Sequence, residues 1–101
     1  MHLSRKFKVA AKLCAYNDKD FGGGLLYTRS TVGWSNFQSN NADLASSLAN
    51  WVSGHDGAFY TNASLSGGRY CLGPSTNVAW VGSSLNDAMS SAITYSGLYY
   101  C

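Results

Sequence analysis

Tyr16-Asn17-Asp18-Lys19-Asp20-Phe21-Gly22-Gly23-Gly24 is answered 44 residues later by Tyr60-Thr61-Asn62-Ala63-Ser64-Leu65-Ser66-Gly67-Gly68. Each copy closes on a second shared segment, Asp43-Leu44-Ala45-Ser46-Ser47 and Asp87-Ala88-Met89-Ser90-Ser91. The offset is the same at Tyr16/Tyr60, Phe21/Leu65, Gly23/Gly67, Asp43/Asp87, Ser46/Ser90 and Ser47/Ser91. A fixed period of this length marks a duplicated supersecondary unit. The fold follows from that duplication.

Within each unit, short apolar runs are broken by turn residues. In the first, Leu13 to Tyr16 reads as a strand and Asn17 to Asp20 as a polar turn. The glycines after Phe21 permit the left-handed backbone that a folded-over hairpin needs. Gly24 to Thr28 is the second strand, residues 29–41 a long connection, and Ser46 to Val52 the last strand. The second unit repeats the order, with strands at Ala58 to Tyr60, Arg69 to Leu72, Val78 to Val81 and Ser91 to Tyr95. Pro74 ends the second of these, because proline cannot donate to a ladder. Short strands in two sets, one per unit, predict an all-β sandwich. Each unit is too small to bury its own core, so the two should pack face to face across a pseudo-two-fold axis. Trp34, Trp51 and Trp80, with the tyrosines, are expected to supply much of that buried area.

The composition agrees. Of 101 residues, 46% are hydrophobic and 12% charged, which is a globular balance. All five acids are Asp, and Glu is absent, in keeping with turns and strands over helices. The net charge of +2 is unevenly placed. Arg5, Lys6, Lys8 and Lys12 crowd the first twelve residues, where there is no acid. Phe7, Val9, Ala11, Leu13 and Ala15 alternate with Lys8, Ala10, Lys12 and Cys14, the pattern of a strand with one buried face. The organisation read here is a basic arm over 1–12, a two-motif domain over 13–95 (13–53 and 57–95), and a tail over 96–101. No apolar run approaches the roughly 20 residues that a membrane helix needs. No secretory leader is visible either, which favours a virion or cytoplasmic origin over a secreted one. Cys14, Cys71 and Cys101 allow one disulfide and a free thiol, or three thiols, and their spacing fits no zinc pattern.

Paired with the closing segments, the repeat resembles a known family. Tyr16…Phe21-x-Gly23 and Tyr60…Leu65-x-Gly67 are similar to the aromatic-glycine signature of the βγ-crystallin Greek key. Ala42-Asp43-x-x-Ser46-Ser47 and Asn86-Asp87-x-x-Ser90-Ser91 are similar to its Asn/Asp-Asn/Asp-x-x-Ser/Thr-Ser segment. The flavour is that of the microbial branch, which includes peptidase inhibitors of the Streptomyces metalloproteinase-inhibitor type. Leu65 stands where the pattern has an aromatic, and Ala42 where it has Asn or Asp. The resemblance implies a βγ-crystallin-like sandwich of two Greek-key motifs. It also implies two Ca²⁺ sites with ligands exchanged between motifs: Asp43 with Ser90, and Asp87, beside Asn86, with Ser46. Carboxylate, hydroxyl and carbonyl oxygens suit that hard cation, and one carboxylate per site implies weak binding.

Catalysis finds no anchor. There is no Gly-x-Ser-x-Gly and no phosphate-binding glycine loop with Lys. His2 lies in the arm, His55 lies between the repeats, and Cys14 reads as a core residue. The expected function is a non-enzymatic structural or binding module. It would dock on a larger assembly, such as a phage virion as a decoration protein, through its surface and through Arg5, Lys6, Lys8 and Lys12. The alternative is a secreted peptidase inhibitor presenting loop 29–41 or 73–84. The partner is a protein in either case, with no specific nucleic acid and no membrane span.

Overall fold

A computed structural model of the chain describes residues 12–38, 40–83 and 88–101. Among the described residues, eight strands run in order: β1 (Leu13–Tyr16), β2 (Leu25–Arg29), β3 (Gly33–Asn36), β4 (Ser47–Asn50), β5 (Gly57–Asn62), β6 (Ser66–Leu72), β7 (Thr76–Val78) and β8 (Ser91–Thr94). They form two four-stranded antiparallel sheets, β2-β1-β4-β7 and β3-β8-β5-β6. The third strand of each motif therefore lies in the other motif's sheet. β3 pairs with β8, with Trp34 opposite Ile93, and β7 pairs with β4, with Val78 opposite Leu48. Two Greek keys are interlocked by exchange of one strand each.

Residues 29–41 were expected to be a connection, but Gly33–Asn36 is a strand within them. Its ladder partner is remote in sequence, so no local pattern announces it. The expected strand Val78 to Val81 is instead Thr76–Val78. Each proposed inhibitor loop is thus interrupted by a paired strand.

The core fills the space between the sheets with Leu13, Leu26, Tyr27, Phe37, Leu48, Phe59, Leu72, Val81 and Met89. Tyr27 stacks on Phe37 at 4.8 Å between ring centroids, and Phe59 meets both rings edge-on. The tryptophans do not supply this core. Trp34 is 47% exposed and Trp80 38%, and Trp51 packs on the far side of the first sheet. β1 also departs from its one-faced pattern, since all four of its residues are buried. Leu13 and Ala15 point into the core, while Cys14 and Tyr16 are covered from outside by Phe21, Ala49 and Trp51.

That cover comes from the repeated segment. After β1 and β5 the ladder slips at Tyr16 and again at Tyr60. The chain then folds back over its own sheet. Asp20 and Phe21 take φ of 56° and 61°, and their mates Ser64 and Leu65 take 59° and 58°. Such left-handed non-glycine residues are strained and persist only where contacts hold them. The second serine of each Ser-Ser pair supplies those contacts. Ser47 Oγ donates to Asp18 O (2.6 Å) and accepts from Phe21 N (3.0 Å). Ser91 Oγ donates to Asn62 O (2.6 Å) and accepts from Leu65 N (3.0 Å).

Cys71 and Cys101 form a disulfide with Cα atoms 5.5 Å apart, and Cys14 is a free, buried thiol.

Candidate functional site

The first serine of each pair has a different task. Ser90 is pinned by its main chain: its N–H donates to Tyr60 O (2.8 Å) and its carbonyl accepts from Phe37 N (2.8 Å). Ser46 repeats this, donating to Tyr16 O (2.9 Å) and accepting from Val81 N (3.0 Å). These contacts join each motif's last strand to its own first strand and to the other motif's third-strand region. They fix where the serine hydroxyl stands.

Asp43 reaches Ser90 from the other motif. It holds φ of 61°, and its N–H donates to Met89 O at 2.9 Å. Its Oδ1 accepts from Ser90 Oγ at 2.8 Å across 47 residues of sequence. The pair opens into a pocket of 360 Å³, which Asn36, Ala42, Thr61 and Asn62 also line. Asn36 Oδ1 accepts from Ser64 N at 2.7 Å, tying the second fold-over segment to the rim. The site is open to solvent, and its Asp43 carboxylate is exposed.

The structure thus brings Asp43 and Ser90 together. The mate corner is described only on the Ser46 side, since Asn86 and Asp87 lie outside the described residues. Arg5, Lys6 and Lys8 lie outside them too. Lys12 is half-buried, and its carbonyl accepts from Trp51 N at 2.9 Å. Among the described residues, no three or more His, Cys, Asp or Glu side chains gather as a metal cluster. The Asp43 corner offers one carboxylate and one hydroxyl, all hard oxygen. That chemistry fits Ca²⁺ held weakly and does not fit zinc. Ala42 lines the pocket without a ligand of its own.

His55 and Asp56 are committed to main-chain partners. His55 Nδ1 lies 2.9 Å from Tyr95 O, and buried Asp56 accepts through Oδ2 from Tyr100 N and Cys101 N. Sequence reasoning left Asn36 unremarked. The 44-residue offset does place Asn62, on the pocket wall, opposite Asp18.

No protein-family model and no curated protein matches the sequence. Solved structures do. A βγ-crystallin domain from Clostridium beijerinckii is 26% identical with a TM-score of 0.66, over 83% of this chain and 97% of that one. A βγ-crystallin domain from Flavobacterium johnsoniae is 20% identical with a TM-score of 0.65, over 86% and 98%. A structure concerning the evolution of the eye-lens βγ-crystallin domain fold is 19% identical with a TM-score of 0.71, over 91% of each chain. The exchanged third strands, the paired fold-over segments and these likenesses agree, and the fold of this chain is that of the βγ-crystallin domains.

Proposed function

We propose that this protein is a non-catalytic binding module whose Asp43–Ser90 corner takes a calcium ion. The observation that carries the reading is the 2.8 Å contact between Ser90 Oγ and Asp43 Oδ1, made between the two motifs. An exposed carboxylate beside a rigidly placed hydroxyl is a partial oxygen shell, and water can complete it. Bound there, the ion would bridge residues from both motifs and so favour the interlocked state over the unfolded one.

With one carboxylate, affinity falls in the range of extracellular calcium modules, a Kd of roughly 10⁻⁴ to 10⁻³ M. By linkage, 10 mM Ca²⁺ then adds about 1.4 to 2.7 kcal/mol of stability. Calorimetric titration and thermal melts should show saturable heat and a Tm raised by several degrees. Asp43→Asn should remove the heat of this corner and reduce the Tm shift. Absence of heat and of a Tm shift in the unsubstituted protein would sink the proposal.

As a module, the protein docks on a larger assembly. The arm residues Arg5, Lys6, Lys8 and Lys12 supply the positive charge for an acidic partner surface.

A further inference from the structure

The repeat leaves one place unbalanced. In motif one, Phe21 lies edge-on to Tyr16 at 5.6 Å and tilted against Trp51 at 6.2 Å, covering the outer side of its sheet over Cys14. The mates of Phe21, Trp51 and Cys14 are Leu65, Tyr95 and Ala58. Leu65 has no ring to lay over Tyr95. The tail supplies it: Tyr100 stacks on Tyr95 with centroids 4.5 Å apart and planes 2° from parallel. Tyr95 Oη meets Tyr60 Oη at 3.2 Å. Ala58 alternates with core residue Phe59 and so faces outward, yet it is fully buried.

Two devices hold the tail in this position. One is the Cys71–Cys101 disulfide. The other is Asp56, 5% exposed, whose carboxylate accepts from Tyr100 N (2.8 Å) and Cys101 N (3.3 Å), while its own N–H donates to Gly97 O (2.8 Å). Arg69 donates to Tyr100 O and to Cys71 Sγ, and its guanidinium lies 5.6 Å from the centre of the Tyr95 ring. Cys101 is exposed and Cys71 half-exposed, so solution thiols reach the bond. Cys14 is fully buried, and burial pushes its thiol up to about 11, so it takes no part in exchange while the fold is intact.

We propose that the tail, residues 96–101, is a redox latch: reduction of Cys71–Cys101 releases it from Asp56 and uncovers the Tyr60–Tyr95 face of the second sheet. The reductant is a dithiol. Its thiolate attacks one sulfur, its second thiol resolves the mixed disulfide, and the protein gains two thiols as the dithiol becomes a disulfide. The sheet itself stays folded, because β5 is paired on both sides by β6 and β8.

The test is amide hydrogen exchange on the full chain, oxidised and after dithiothreitol, together with Cys101→Ser. The amides of residues 100 and 101 should exchange at least tenfold faster in the reduced chain and in the variant, with β5 and β8 unchanged. Retained protection at 100 and 101 means that Asp56 and Arg69 hold the tail without the disulfide, and the latch is refuted. Loss of protection through β5 and β8 makes the disulfide a global staple, which refutes it equally. Asp56→Asn weakens a charge-assisted contact, so half-reduction should need roughly tenfold less dithiol. An unchanged requirement removes Asp56 from the device and overturns the proposal.

Discussion

Four serines carry most of what is specific to this chain, and the two in each pair divide the work. Ser47 and Ser91 are fully buried, and each serves two main-chain groups of a fold-over segment. Ser47→Ala leaves the Phe21 N–H and the Asp18 carbonyl without that partner, at a strained turn. The cost should be about 2 kcal/mol, the range for a buried polar group deprived of its partner, read from urea unfolding. Ser90 is less buried, and the partner of its hydroxyl is the exposed Asp43. Ser90→Ala should cost under about 1 kcal/mol while weakening calcium binding. Equal destabilisation by the two substitutions would contradict this division. The sequence shows Ser-Ser twice but does not separate the roles, because they depend on which way each hydroxyl points.

At the scale of elements, the arch between the first two strands of each motif depends on one glycine. Gly67 holds φ of +83°, and a Cβ there would meet Thr61 Oγ1 and come within 2.8 Å of Asn62 Nδ2. Gly24 has no left-handed φ and nothing within 4 Å of an added Cβ. Gly67→Ala should therefore destabilise by about 2 kcal/mol or more, through backbone strain and the clash together. Gly24→Ala should be neutral to stabilising by a few tenths of a kcal/mol. Paired thermal melts of the two variants decide it, and equal melting points would disprove the assignment. The triple glycine is legible in the sequence as a turn. Which glycine the turn requires is not, because that depends on the path of the facing strand.

Across the whole molecule, the outer side of the first sheet stores a pH dependence. Burial raises the Cys14 thiol from 9.0 to about 11. Burial, followed by the neighbouring Cys14, raises the Tyr16 phenol from 10.0 to about 12. Both groups are neutral when protonated, so the folded state binds these protons more tightly than the unfolded chain. Their contribution is fully present below about pH 9 and is lost as pH climbs through 11 to 12. One pKa unit is worth about 1.36 kcal/mol, and solvent screening discounts the Tyr16 share, so stability should fall by roughly 2 to 3 kcal/mol between pH 8 and pH 11. Denaturant unfolding across that interval, with the disulfide verified intact, checks the slope. Cys14→Ala should remove the earlier part of the decline, and a flat profile would refute the account.

The sequence by itself determined the duplication and the two-motif sandwich. These follow from a constant 44-residue offset and from residue types whose backbone demands are local. Only the tertiary structure decided the exchange of β3 and β7, the disulfide partners, and which aromatics are inside. Strand exchange depends on ladder partners far apart in the chain, such as Asn36 opposite Ser91. Trp34 looks like a core residue until β3 is placed at the edge of the second sheet, where its outward side meets water. Leu65 looks like a lapse in the repeat until the tail brings Tyr100 onto Tyr95. Local pattern fixes which backbone each segment adopts. Burial is a property of what comes to lie on top, and that is set by residues distant in sequence.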